Sequence, residues 1–183
     1  MQRNNGLLFW PVLFFVTMTD VVTKNLAERA LTPQRVPHDV FGEFLRFTLV
    51  YNPGAAFGLH LGDQSRMIFT TLTVVALIIL ARLYRATAAG DIPRTMALGL
   101  VCAGAVGNLL DRLRSELGVV DFLDVGWGET RWPTFNVADM AVTVGAILLA
   151  WVLWREDRAL SDRESPVLVP MSPAGLVEPG DLV

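Results

Sequence analysis

Residues 134–154 read TFNVADMAVTVGAILLAWVLW. From Phe135 to Trp154 this is one apolar segment with Asn136 and Asp139 in its first turns. A helix rises about 1.5 Å per residue, so roughly 20 residues cross a hydrocarbon core of about 30 Å. The segment reaches that length only if Asn136 and Asp139 are counted in. An ionised carboxylate surrounded by lipid is costly. The two polar groups therefore belong at the bilayer edge, facing a protein partner.

Three further segments have the same character. They lie at about residues 6–27 (GLLFWPVLFFVTMTDVVTKNLA), 67–84 (MIFTTLTVVALIILARLY) and 95–112 (TMALGLVCAGAVGNLLDR). The chain is 52% hydrophobic and only 18% charged, with a mean hydropathy of +0.45. A soluble domain carries about 25% charge, so the composition indicates a membrane protein. The net charge of −3 speaks against a nucleic-acid partner. The expectation is an all-α membrane protein of four transmembrane helices.

Alternation of the spans carries a further consequence. Span 1 ends where span 2 begins, and span 3 ends there too, where span 4 starts. Asp20, Lys24, Asn108, Asp111, Arg112, Asn136 and Asp139 then gather at one membrane face, whichever way the protein is inserted. Arg3, Arg82, Arg85, Arg94, Arg155, Arg158 and Arg163 lie at the other face, in short segments beside both termini. The positive-inside rule then places both termini in the cytoplasm and the polar cluster outside. No cleavable leader is evident, and the first segment reads as a retained span.

The connections are unequal. Residues 28–66 include LRFTLVYN, rich in β-branched and aromatic residues, followed by the turn signal Asn52-Pro53-Gly54. A small extracytoplasmic β-sheet is expected there, between spans 1 and 2. The connection between spans 3 and 4, SELGVVDFLDVGWGETRWPT, is expected as an extracytoplasmic loop, with Asp124 and Glu129 as solvated charges. Trp10, Trp127, Trp132, Trp151 and Trp154 suit the depth of lipid headgroups. Residues 1–158 form one four-span domain in this reading. The Pro-rich segment 159–183 reads as a disordered tail.

The chemistry open to this cluster is restricted. Cys102 has no disulfide partner, sits in the apolar run LVCAG and reads as buried. Its place inside span 3 also speaks against a lipidation site. His38 and His60 are isolated, so neither a metal site nor a histidine-activated nucleophile is indicated. Asp20 and Lys24 are four apart on one helical face and can pair. Asn108 and Arg112 have the same spacing, with Gly104 and Gly107 allowing close helix approach just before them. These pairs, and Asp111 with Arg112, read equally well as structural ties between helix ends. Asp139 reads as catalytic or transporting, and Asp121 lies in the unusually apolar setting GVVDFLD. Two carboxylates without His or Cys suit aspartic chemistry, in which close acids share one proton. A transporter would spread polar groups through the bilayer depth instead. A non-catalytic scaffold would tolerate carboxylate-to-amide changes.

The blocks DVVTK (20–24), NPGAAFG (52–58), GAVGNLLDR (104–112), VVDF (119–122) and FNVAD (135–139) occur in an order that resembles the lipoprotein signal peptidases. These are bacterial intramembrane aspartic peptidases, also called signal peptidase II. The resemblance covers about residues 7–155. It implies that Asp121 and Asp139 are the catalytic pair. Asp20, Lys24, Asn108, Arg112 and Asn136 match positions that support the site, and Asn52 and Gly54 match the polar turn near bound substrate. Asp111 also matches its block and reads as architectural. The resemblance implies cleavage of diacylglyceryl-modified prolipoproteins on the N-terminal side of the lipidated cysteine, with no cofactor and no metal. It further implies residence in the bacterial inner membrane, with the apolar residues 55–57 of the outer segment against lipid, and function as a monomer.

Overall fold

The computed structural model describes residues 4–54 and 64–164. The apolar residues 55–57, His60 and the part of the tail from 165 to 183 lie outside the described residues. Among the described residues, four helices are long and apolar enough to cross a membrane. They are α1 (Gly6–Ala30), α2 (Ser65–Ala86), α3 (Ile92–Arg114) and α4 (Val137–Glu164). All four expected spans are present, and α4 continues through Glu164, into the segment expected as tail.

Helix α3 is the centre of the bundle and packs against the other three. Its buried positions are mostly small: Ala97, Gly99, Cys102, Ala103, Gly104 and Gly107. Lipid offers no hydrophobic gain for helix association, so close backbone approach through small residues has to supply it. A Cβ on Gly104 would run into the Ala138 carbonyl and the Val142 side chain of α4. On α4, a Cβ at Gly145 would meet Ala97 O at 2.9 Å and Leu100 Cβ at 2.9 Å. The first of these contacts matters most for the site, because it seats the start of α4 against α3.

The remaining elements build one antiparallel sheet in the order β1 (His38–Phe41), β2 (Leu45–Asn52), β3 (Val119–Trp127) and β4 (Thr130–Arg131). The strand expected from LRFTLVYN is β2. The connection between α3 and α4, expected as a loop, instead supplies β3 and β4. The physical reason is pairing. Strand β2 would otherwise present an open edge, and β3 covers it from Leu45↔Val125 to Asn52↔Val119. Two carboxylates within VVDFLDVGW hide its strand character from a reading of composition alone. Ala27 of α1 and Leu31, which caps its C-terminus, pack with Leu49, Val120 and Phe122 to form the apolar layer beneath the sheet. Successive strand residues alternate faces, so Asp121 turns away from the layer that holds Val120 and Phe122.

Asp124 corrects a second expectation. It is buried, not solvated. Arg131 Nε lies 2.8 Å from its Oδ1, and Thr48 Oγ1 donates to its Oδ2 at 3.0 Å. Arg131 also donates to the Glu43 carbonyl at 2.6 Å, so one guanidinium ties the β1–β2 turn to β3. Glu129 is exposed, as expected. Trp10, Trp127, Trp132, Trp151 and Trp154 are all exposed, and Cys102 is buried.

Candidate active site

The site begins with the local signals that start α4. Asn136 Oδ1 accepts the Asp139 amide at 2.9 Å, and Asp139 Oδ2 accepts the Asn136 amide at 3.2 Å. This is a reciprocal capping box, with Asn at the cap and Asp three residues on. It satisfies two helix-terminal donors and places a carboxylate where the helix dipole favours negative charge. The FNVAD block therefore both starts the helix and fixes the rotamer of Asp139.

Strand β3 brings the second acid. Phe135 pairs with Leu123 through backbone hydrogen bonds, so the residue before Asn136 is an extension of the sheet. Asn136 Nδ2 then reaches Asp121 Oδ1 at 2.7 Å. From the other side Asn52, at the end of β2, donates to Asp121 Oδ2 at 3.2 Å. Asn52 Oδ1 also accepts the Gly54 amide at 3.1 Å, closing a turn in which Gly54 has φ +127. A Cβ there would press on the Phe69 ring and the Ser65 backbone, so the turn requires glycine.

Asn108 of α3 completes the frame. Its Nδ2 donates to Asp139 Oδ1 at 2.8 Å. Its Oδ1 accepts from Lys24 Nζ at 2.9 Å and from Asn136 Nδ2 at 3.2 Å. Each of the four carboxylate oxygens of Asp121 and Asp139 thus receives a hydrogen bond from Asn52, Asn108 or Asn136. These neutral amides fix the orientation of both carboxylates.

Lys24 is fully buried. Its ammonium lies 2.7 Å from Asp20 Oδ2 and 2.9 Å from Asp111 Oδ2. With the hydrogen bond to Asn108, these two ion pairs surround its ammonium with acceptors. Arg112 donates to the Asn108 carbonyl at 3.2 Å, and its guanidinium sits 5.9 Å from the centre of the Phe69 ring. Asp121 is 3% exposed. Burial first, and the charge of Asp139 second, push its carboxyl up to about 7. The hydrogen bonds from Asn52 and Asn136 and the charge of Lys24 pull the other way.

The profile of the signal peptidase (SPase) II family matches residues 12–155. The chain belongs to the signal peptidase II family. It is 40% identical over 150 residues to the lipoprotein signal peptidase of Aquifex aeolicus, covering 80% of this chain and 86% of that one. It is 45% identical over 146 residues to that of Moorella thermoacetica, covering 79% and 91%. With that of Geobacter metallireducens it shares 41% over 163 residues, covering 87% and 98%. A bacterial membrane enzyme solved by the in meso method at 2.3 Å superposes with a TM-score of 0.74 at 30% identity, covering 87% and 93% of the two chains. A second one, at 1.9 Å, gives 0.70 at 32% identity, covering 80% and 92%. The protein is accordingly a multi-pass bacterial membrane peptidase.

Within this signal peptidase II chain, Asp20, Lys24, Asn52, Gly54, Asn108, Arg112, Asp121, Asn136 and Asp139 converge at one end of the helix bundle. Asn52, Asn108 and Asn136 contact the acids directly, whereas Asp20 and Lys24 join through Asn108 and the start of α4. Several shaping residues escaped the sequence reading. Phe69 lies under both Arg112 and Gly54, and Thr48 and Arg131 hold the outer part of β3. No local spacing marks these, because each acts on a segment far away in the chain.

Proposed function

We propose that Asp121 and Asp139 form an aspartic dyad that hydrolyses the peptide bond on the N-terminal side of a diacylglyceryl-modified cysteine in prolipoproteins, releasing the signal peptide. The observation that carries this reading is the bridge through Asn136. One side-chain amide touches Asp121, while the same residue caps the helix that bears Asp139. Two acids from different elements are thereby held in one hydrogen-bonded frame. Burial first, and the charge of Asp139 second, raise the proton affinity of Asp121, which suits a pair sharing one proton.

In this mechanism Asp139 is ionised and Asp121 is protonated. Asp139 removes a proton from a water as its oxygen bonds to the scissile carbonyl carbon. Asp121 gives its proton to the carbonyl oxygen, so a neutral gem-diol forms. The diol then returns a proton to Asp121 as its carbonyl reforms. Asp139 passes the proton it took to the departing amide nitrogen, and the C–N bond breaks. The products are a carboxylic acid and an amine, and both acids regain their starting states. No covalent intermediate is formed.

The site faces the extracytoplasmic side, with both termini in the cytoplasm. The arginines Arg82, Arg85, Arg94, Arg155 and Arg158 at the opposite end of the bundle support this orientation. The protein works as a monomer on a substrate whose acyl chains remain in the bilayer. Each acyl CH₂ left in hydrocarbon retains about 0.8 kcal/mol, so the lipid keeps the substrate in the membrane plane while its backbone enters the site. Turnover of one precursor peptide is to be compared with and without the diacylglyceryl group. The lipidated form is expected to be cleaved far faster, and equal rates would contradict the substrate assignment.

A further inference from the structure

Lys24 does more than neutralise a neighbour. Asp20, which it holds, accepts the Ala138 amide through Oδ1 at 2.8 Å. Asp111, which it also holds, accepts the Val120 amide through Oδ2 at 3.2 Å. Ala138 is the residue before Asp139, and Val120 is the residue before Asp121. The arrangement is a two-armed device. Each arm runs from one ammonium through one carboxylate to the backbone N–H preceding one acid of the dyad. All four groups are buried: Lys24 and Asp20 are 0% exposed, Asp111 is 3% and Val120 is 0%.

We propose that Lys24 is the hub of a clamp that sets the separation of the two acids, with Asp111 as the positioning residue for Asp121 and Asp20 as the positioning residue for Asp139. This rests on the dyad reading above and assigns Asp111, otherwise an architectural residue, a role in the reaction. The clamp is rigid for stated reasons. Lys24 also donates to Asn108 Oδ1 at 2.9 Å, so its ammonium is held by α3 as well as by the two carboxylates. A Cβ on Gly107 would lie 2.5 Å from Asp20 Oδ2, so the bare backbone there leaves room for that arm. Arg114 braces the other arm through Asp111 Oδ1 at 3.3 Å and is itself tied to Glu28 of α1 at 3.2 Å.

The clamp also sets the charge that the dyad sees. The ionisable groups around it are Asp20, Lys24 and Glu28 from α1, Arg66 from α2, which donates to the Arg112 carbonyl at 2.9 Å, Asp111, Arg112 and Arg114 from α3, and the two acids themselves. Strand β2 contributes the neutral Asn52. Asp111→Asn removes one negative charge next to Lys24 and leaves the ammonium in place. The shared proton should then leave at lower pH.

The test uses the full chain in lipid nanodiscs with a synthetic precursor peptide carrying a diacylglyceryl cysteine. Asp111→Asn is expected to lower kcat by about 10- to 100-fold with little change in KM, since a misplacement of about 1 Å costs that much. The basic limb of its pH profile should move acidward by about one unit. Asp111→Glu keeps the charge but lengthens the arm, so it should lower kcat and leave the limb in place. Wild-type kcat and an unmoved limb in folded Asp111→Asn would overturn the clamp. If Asp111→Asn does not fold, Asp111→Glu decides, and wild-type kcat there overturns it. Asp121→Asn separates the two ideas. Its inactivity beside a normal Asp111 variant removes the clamp alone, whereas its activity removes the dyad.

Discussion

Asn136, the cap of α4, donates to Asp121 of β3 across 2.7 Å. The bond joins the N-cap of α4 to the third residue of β3. Any shift of the sheet against the bundle therefore moves one acid relative to the other. In the proposed mechanism the sheet is part of the chemistry, because β2 and β3 determine where Asp121 stands.

In the proposed mechanism the proton shared by the two acids sets the pH dependence. Asp121 has an ordinary value of 3.8 and is raised to about 7 in the fold. Turnover should accordingly fall with an apparent pKa near 7 as the pH rises and the dyad loses its proton. Between those two values the folded chain holds a proton that the unfolded chain has lost, so stability also declines as pH rises through that window. Parallel pH profiles of kcat/KM and of thermal unfolding check both trends. A rate still rising well above pH 8 would contradict the first.

Lys24→Met is expected to destabilise the protein strongly. It leaves Asp20 and Asp111 buried without the ammonium that lies 2.7 and 2.9 Å from them. Breaking a buried ion pair from one side costs about 3–5 kcal/mol. Equilibrium unfolding in detergent measures this, and a loss below about 1 kcal/mol would mean that water replaces the lysine.

Gly104→Val tests the seating of α4 on α3. Its Cβ has no room beside the Ala138 carbonyl and the Val142 side chain. Overpacking costs about 1–3 kcal/mol, and here it acts one residue from Asp139. Activity should fall by more than the loss of folded protein explains, as read from turnover per folded molecule. Gly42→Val is a control in stability alone, because no atom lies near a Cβ there although its φ is +52.

Much of this was legible in the chain because its signals are local. The four apolar runs are long enough to force helices, and alternation then places the polar ends together without any knowledge of packing. The capping spacing of Asn136 and Asp139 lies within one turn, and the pair Asp20 and Lys24 lies on one helical face. What stayed hidden depends on long-range pairing. Asn52 meets Asp121 across 69 positions, and Thr48 meets Asp124 across 76. Nothing within VVDFLDVGW shows that β2 waits as its partner. The burial of Asp124 follows only once Arg131 has folded back onto it.

The most direct test of the account is cleavage of a diacylglyceryl-modified precursor by purified wild-type protein, Asp121→Asn and Asp139→Asn in the same membrane mimetic. Each replacement keeps the size of the side chain and removes its ability to carry or share the proton. Both variants are predicted to remain folded and membrane-inserted while losing turnover by about 10²–10⁴-fold, the contribution of the general acid–base function that either loss removes. Substantial turnover by either folded variant would contradict the paired-acid mechanism.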